Sequence, residues 1–190
     1  RATYPLNSAI AQVSGDGAFV TFQSAGRDLL AGPFDLNDGD DIFQFNRVAG
    51  TNALVSRSAA GSGGITARDS YYATNSQDLS ADGRYVVFNS MSRNLVAGQD
   101  TGGGWHVYRW DRTTGLIILV NRAVGSTTTS GNALAELPRM SADGRYIAYM
   151  SAASNLVTGQ VDPSAGNDVF LFDAQSGATV LVSHAAGLPT

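Results

Sequence analysis

Two short acidic stretches are the residues of this sequence best suited to bind an ion. Residues 35–41 and 162–168 each begin and end with an aspartate and contain a glycine. Calcium takes about six to eight oxygen ligands, and a short acidic loop around a glycine resembles that supply. Calcium is therefore a candidate cofactor, with candidate ligand positions at Asp35, Asn37, Gly39, Asp41, Asp162 and Asp168.

The same stretches have a structural interpretation, and the sequence favours it. Neither loop has the full spacing of an EF-hand. Aspartate and asparagine also hydrogen-bond to their own backbone and so begin strands. A third stretch keeps Asp100 but has His106 six residues later, where the other two have aspartate, which disfavours calcium there.

Nucleophilic catalysis has little support in the sequence. There is no cysteine or lysine, no Gly-x-Ser-x-Gly elbow, and His106 and His184 are the only histidines. These two occupy different places in the pattern described below, so a Ser-His-Asp triad is not expected. Paired carboxylates for glycosidase chemistry stay open, because 15 aspartates are present. We expect a protein that is not an enzyme.

Aromatic residues outside the apolar runs are the candidate binding residues. Trp105 lies in a loop, where an exposed indole could stack on a sugar or contact a protein, and His106 follows it. Tyr71 and Tyr72 lie in the longest linker. The alternative for these side chains is packing against the nearest strand.

The charge and hydropathy patterns exclude two classes of partner. The net charge is −4, and all 12 cationic residues are arginines that are scattered along the chain. Nucleic acid is therefore not an expected partner, because phosphate binding needs clustered positive charge. No apolar run approaches the roughly 18 residues of a membrane span.

The chain begins at Arg1, and we expect that a leader or upstream segment has been removed.

An internal repeat organises the whole chain. Asp-Gly pairs end at Gly17, Gly83 and Gly144, which are 66 and 61 residues apart, and each pair precedes an apolar run. A second turn glycine follows each Asp-Gly glycine after 33, 32 and 33 residues. Asp-Gly between apolar segments is a strong hairpin signal, because glycine adopts the positive φ that a tight turn needs.

Each repeat predicts four short antiparallel strands, and the repeats predict an all-β fold. The central strands are apolar on both faces, as in residues 85–88, so each sheet must be covered on both sides. Radial stacking of four-stranded blades does this, whereas a β-sandwich, the rival architecture, would show alternating polar positions. We therefore predict three β-propeller blades, at residues 1–57, 58–122 and 123–190, which form one incomplete domain.

The repeated strings resemble a known family. Ser-Ala-Asp-Gly-Arg-Tyr at 80–85 and 141–146, Asn-Leu-Val, Asp-Val-Phe and the late Thr-Gly or Ser-Gly turn resemble the TolB-like (WD40-like) β-propeller repeats of bacterial envelope and secreted proteins. The resemblance covers nearly the whole chain. It implies an interaction platform or part of a larger propeller, in a periplasmic or extracellular protein.

Three blades cannot close a ring, because propellers typically need about four to eight. The outer faces of the first and third blades would therefore expose apolar patches, which mark an interface. The expected partner is a second copy of the chain or the rest of a longer propeller. The sequence leaves open a binding scaffold, the propeller part of a hydrolase with its catalytic residues elsewhere, and a filament subunit.

Overall fold

The computed structural model describes residues 8–26, 28–30, 40–59, 76–160 and 166–184. Within them, three antiparallel sheets of four strands follow one another along the chain, and neighbouring strands in each sheet are consecutive in sequence. We call these sheets blades 1, 2 and 3. Their strands are β1 Ser8–Val13, β2 Phe19–Ser24, β3 Asp41–Asn46 and β4 Thr51–Leu54; β5 Gln77–Leu79, β6 Tyr85–Ser90, β7 His106–Asp111 and β8 Ile117–Leu119; β9 Ala135–Met140, β10 Tyr146–Ser151, β11 Asp168–Asp173 and β12 Thr179–Leu181.

The Asp-Gly motif closes the first hairpin of each blade. In blade 1, the Ser14 hydroxyl donates to Asp16 Oδ1 at 2.6 Å, and the same carboxylate oxygen accepts the Ala18 N–H at 2.9 Å. Gly17 has a φ of +66°, which glycine adopts without steric cost. Because Asp16 accepts the Ala18 N–H and the Ser14 hydroxyl accepts the Phe19 N–H at 3.0 Å, these two side chains specify the turn.

Burial confirms that the central strand β6 of blade 2 is covered on both faces. Val86, Val87 and Phe88 are consecutive in β6, and all three are fully buried. Side chains of neighbouring residues in a strand point to opposite faces, so blade 2 is packed on both sides. The fold is therefore all-β with stacked blades, as the sequence predicts.

Two apolar cores lie between the blades. In the first, Ile42 and Val55 of blade 1 pack with blade 2 residues that include Phe88 and Trp110. In the second, Val107 and Val120 of blade 2 pack with blade 3 residues that include Tyr149 and Phe170. A blade is therefore stabilised mainly by its neighbours, which is the property of repeat architectures.

No helix long and apolar enough to cross a membrane occurs in the part of the chain that the structure describes.

Candidate functional site: end faces and upper loops

The two junctions between blades share a backbone hydrogen bond. The Gly15 N–H of blade 1 donates to the Ala81 carbonyl of blade 2 at 2.8 Å. The Ala81 N–H in turn donates to the Ala142 carbonyl of blade 3 at 2.8 Å. These residues occupy the same place in the Ser-x-Asp-Gly turns, so the turns form a ladder that runs from blade to blade.

An aromatic ring beside a glycine is the second shared contact. The first residue of β2 or β6 lies against the turn glycine of the next blade: Phe19 against Gly83, and Tyr85 against Gly144. A Cβ on either glycine would overlap the ring. The glycines therefore allow the close approach of the next blade as well as the positive φ of the turn.

A side-chain donor from the third strand completes each junction. Gln44 Nε2 donates to the Gly83 carbonyl at 2.9 Å, and Arg109 Nη1 donates to the Gly144 carbonyl at 2.8 Å. The Arg109 guanidinium also lies 4.4 Å from the centre of the Tyr85 ring. Such a stack of a cation on an aromatic ring adds to the hydrogen bond.

Blade 3 presents an uncovered copy of this face, which we call the blade 3 end face (Tyr146, Leu171, Val180 and Val182). Val182 is 51% exposed, whereas its equivalents Val55 and Val120 are fully buried in the two cores. Tyr146 is 38% exposed and its equivalent Phe19 only 9%. The exposure thus arises where no further blade covers the repeat.

Blade 1 presents the complementary half, which we call the blade 1 end face (Val13, Gly15 and Gly17). Val13 is 63% exposed, whereas its equivalents Leu79 and Met140 are partly buried against the two cores. A Cβ on Gly17 would meet nothing, unlike a Cβ on Gly83 or Gly144.

The predicted calcium ligands that the structure describes lie at strand starts. Asp41 is fully buried and its Oδ1 accepts the Ser56 hydroxyl at 2.7 Å. Asp168 Oδ1 accepts the Ser183 hydroxyl at 2.7 Å. The same serine oxygens accept the N–H groups of Ile42 and Val169, so each serine links the first two residues of the third strand.

The other predicted ligands, Asp35, Asn37, Gly39 and Asp162, and the candidate binding residues Tyr71 and Tyr72 lie outside the described residues. Within the described ranges, no group of three or more histidine, aspartate and glutamate residues is placed to hold a metal ion. The calcium site stays a prediction.

His106 replaces the aspartate of this strand-start arrangement in blade 2. Asn121 takes the place of the serine: its Oδ1 accepts the Val107 N–H at 2.9 Å, and its Nδ2 lies 3.0 Å from His106 Nδ1. This network makes Nδ1 the acceptor and leaves the ring proton on Nε2. Burial, with a smaller contribution from the charge of Arg93, lowers the pKa of His106 to about 4. His106 is therefore neutral at pH 7.

A cavity of about 580 Å³ lies among the loops beside His106. Asp100, Asn132 and Asn155 bring polar groups to its wall, and Leu134 brings an apolar one. The structure thus places one predicted binding residue, His106, at a concave surface, although its side chain is only 2% exposed. The neighbouring Trp105 is half-buried. Cavities of this size are typical of small-ligand sites.

The sequence predicted apolar end faces but did not identify their individual residues. It predicted apolar outer flanks but selected loop residues as candidates. The signal was present in the repeat itself: the equivalents of an end-face residue are known once the three copies are aligned. Tyr146, for example, follows its Asp-Gly pair at the same distance as Phe19 and Tyr85.

No protein-family model matches the chain, and no curated protein matches it. Among solved structures, the chain is similar to TolB from Acinetobacter baumannii, with a TM-score of 0.52 and 12% identity, over 94% of this chain and 33% of that one. It is similar to the tricorn protease (TM-score 0.51, 14% identity, 91% of this chain and 14% of that one). It is also similar to a prolyl endopeptidase (TM-score 0.51, 15% identity, 96% of this chain and 22% of that one).

The chain therefore spans about a third of the TolB chain and smaller parts of the two peptidase chains. Such low identity shows the fold alone. The three blades of this chain have the TolB-like β-propeller fold.

Proposed function

We propose that this chain is a non-enzymatic binding scaffold, built as part of a β-propeller that further blades complete. The observation that carries the proposal is the contrast between Val182, which is 51% exposed, and Val55 and Val120, which are fully buried at the same place in the repeat. At the two internal junctions, the equivalent faces of blades 1 and 2 pack against the next blade. The further blades come from a second copy or from another part of the polypeptide.

The loops around the cavity beside His106 supply the candidate ligand surface of the scaffold. The cavity beside His106 combines carboxylate, amide and apolar groups, the mixture that small-ligand sites use for orientation and affinity. Trp105, the residue before His106, adds an aromatic group to the same loop region. The TolB-like fold also supports a periplasmic or extracellular location, which cell fractionation would test.

Dye binding tests whether the end faces are uncovered binding surfaces. The isolated chain at low concentration should enhance the fluorescence of anilinonaphthalene sulfonate, because this dye binds exposed apolar patches. Val180→Ser combined with Val182→Ser should reduce the signal. Val48→Ser is the matched control, because Val48 is 80% exposed but lies in the turn between β3 and β4, away from the end faces.

The proposal is contradicted if both of the following results are obtained. One is fluorescence no higher than that of a compact protein of the same size, and the other is a monomer at every concentration. In that case both end faces would be covered by the chain itself.

A second candidate is the propeller part of a larger hydrolase, whose catalytic residues lie in another domain. The similarity to the tricorn protease and to a prolyl endopeptidase favours it over other enzyme classes. Peptidase activity that appears only when this chain is joined to its neighbouring domain, and that survives His106→Gln, would support this function over the scaffold.

Calcium is a proposed cofactor of the acidic stretches that contain Asp41 and Asp168. Calcium ligation would raise the melting temperature in calcium chloride and lower it in a chelator. An unchanged melting temperature would leave these aspartates with their strand-start role alone.

A further inference from the structure

We propose that the blade 3 end face binds the blade 1 end face of a second copy, in the register of the two internal junctions. This inference rests on the proposed scaffold function and names its partner. Two copies of three blades give six, which lies within the range of about four to eight that closes a propeller. A two-fold axis along the propeller would form both contacts at once.

The ring of Tyr146 and the open turn at Gly17 are complementary. In the internal junctions, Phe19 and Tyr85 fill the space beside Gly83 and Gly144. Tyr146 stands at the same place in blade 3 and is 38% exposed. Gly17 is the equivalent turn glycine of blade 1, and nothing lies within 4 Å of its Cβ position. Tyr146 of one copy would therefore fill the open space beside Gly17 of the other copy.

The backbone ladder has the same complementarity. The Ala142 carbonyl accepts from Ala81, but the Ala142 N–H has no hydrogen-bond partner among the described residues. At the other end, the Gly15 N–H donates to Ala81, and the Gly15 carbonyl accepts no bond from a described residue. An Ala142 N–H that donates to Gly15 of a second copy would break no existing bond. The internal ladder runs in the same donor direction, from Gly15 to Ala81 and from Ala81 to Ala142.

The contact between two copies continues this ladder in the same direction. A junction in which the Ala142 N–H, as donor of blade 3, reaches the Gly15 carbonyl of the next blade repeats the step from Ala81 to Ala142. The turn of each blade then donates to the turn of the blade that follows it. The register of the junction is thereby fixed to one residue.

Apolar contacts extend the match. Val180 and Val182 are 40% and 51% exposed, and Val13 is 63% exposed. Their internal equivalents include Ala53 and Val55 in the first core and Leu79 beside them. Covering the valines would remove from water the apolar surface that both internal junctions already bury.

The predicted junction differs from the internal ones at one bond. Leu171 replaces Gln44 and Arg109, so blade 3 has no side-chain donor for the turn carbonyl of the next blade. That carbonyl belongs to Gly17, and Arg47 Nε of blade 1 already donates to it at 2.8 Å. The missing donor therefore leaves no buried carbonyl without a partner.

Sedimentation equilibrium with two matched glycine variants tests the register. Gly17 and Gly50 lie in turns of blade 1 with the same φ of +66°, and a Cβ on either meets nothing within 4 Å. Alanine at each site carries the same backbone strain in the single chain. Gly17→Ala should raise the dissociation constant of the dimer at least about tenfold, a change of about 1.4 kcal/mol, while Gly50→Ala leaves it unchanged.

A double substitution identifies Tyr146 as the contact. Tyr146→Ser should weaken the dimer, and Gly17→Ala should then add little, because the ring that its Cβ would overlap is gone. Leu116→Ser is the surface control, since Leu116 is 66% exposed but lies on blade 2.

Three results would overturn the inference. A dimer weakened equally by Gly17→Ala and Gly50→Ala would show the wrong register and leave the scaffold function standing. A monomer at all concentrations that still binds the apolar dye would exclude the second copy and leave further blades of the same polypeptide. A mass that grows without limit would exclude a closed pair.

Discussion

The ring of Tyr85 in blade 2 occupies the space in which a Cβ on Gly144 of blade 3 would lie. Phe19 and Gly83 have the same relationship one blade earlier. The Asp-Gly glycine thus has two functions: its positive φ closes a hairpin within one blade, and its bare Cα admits an aromatic ring from the preceding blade. Turn formation and blade stacking depend on the same atom.

The first prediction concerns Gly144→Ala. Backbone strain at positive φ costs about 1–2 kcal/mol, and overlap with Tyr85 adds about 1–3 kcal/mol to the loss of stability. Gly115→Ala is the control, because Gly115 has a φ of +70° and its Cβ would meet nothing. Urea unfolding should show a clearly larger loss for Gly144→Ala. Equal losses would mean that the ring moves aside without cost.

The second prediction is a pH dependence from His106. Its folded pKa of about 4 lies below the ordinary 6.5, so the unfolded chain binds a proton more readily between these values. Stability is therefore fully present above about pH 6.5 and decreases as the pH falls towards 4. The loss should be on the order of 2 kcal/mol. His106→Gln should flatten this part of the curve, measured by urea unfolding at pH 7, 6 and 5.

A matched substitution separates the His106 titration from other groups. His184→Gln removes the other histidine, which lies half-buried after β12. It serves as the control for the loss of one imidazole from the chain. A slope that persists unchanged in His106→Gln would contradict the prediction.

The third prediction concerns the ion pair between Arg145 and Asp173. Arg145 Nε and Nη2 donate to the two carboxylate oxygens at 2.9 and 2.7 Å. The hydrogen bonds from Arg145 hold the pKa of Asp173 well below its usual value of 3.8. The stability that this pair contributes is present above about pH 4 and decreases as the pH falls below it. Asp173→Asn should weaken the acid dependence of unfolding.

Arg84 and Asp111 form the same forked pair in blade 2, so Asp111→Asn should act in the same direction. If neither variant changes the acid limb of the stability curve, these partly exposed pairs contribute nothing measurable, as many surface pairs do.

The fold was predictable because the strongest local signals agree with one another. The Asp-Gly turns, the apolar strands and the second turn glycines recur in the same order at similar spacing, and the structure uses each of them in all three blades. The Asp-Gly pairs predict hairpins, and in blade 1 the Asp16 carboxylate accepts hydrogen bonds from Ser14 and Ala18 within such a turn.

The end faces could be predicted as apolar but not residue by residue. Val180 and Val182 share one strand face, and Leu181 between them lies on the other and is buried. Which face turns towards the next blade depends on the pairing of β11 with β12. His106 illustrates the opposite difficulty. A histidine beside a loop tryptophan suggests an exposed binding group, but Asn121, which is 15 residues away, holds its ring in a buried position.

Hydrogen exchange at two equivalent amides tests whether each end face is half of a blade junction. The Ala81 N–H already donates across an internal junction, and the Ala142 N–H is its counterpart on the blade 3 end face. As the protein concentration is raised through the assembly range, exchange at Ala142 should slow towards the rate of Ala81. Rapid exchange at Ala142 at every concentration, with Ala81 protected throughout, would contradict the account.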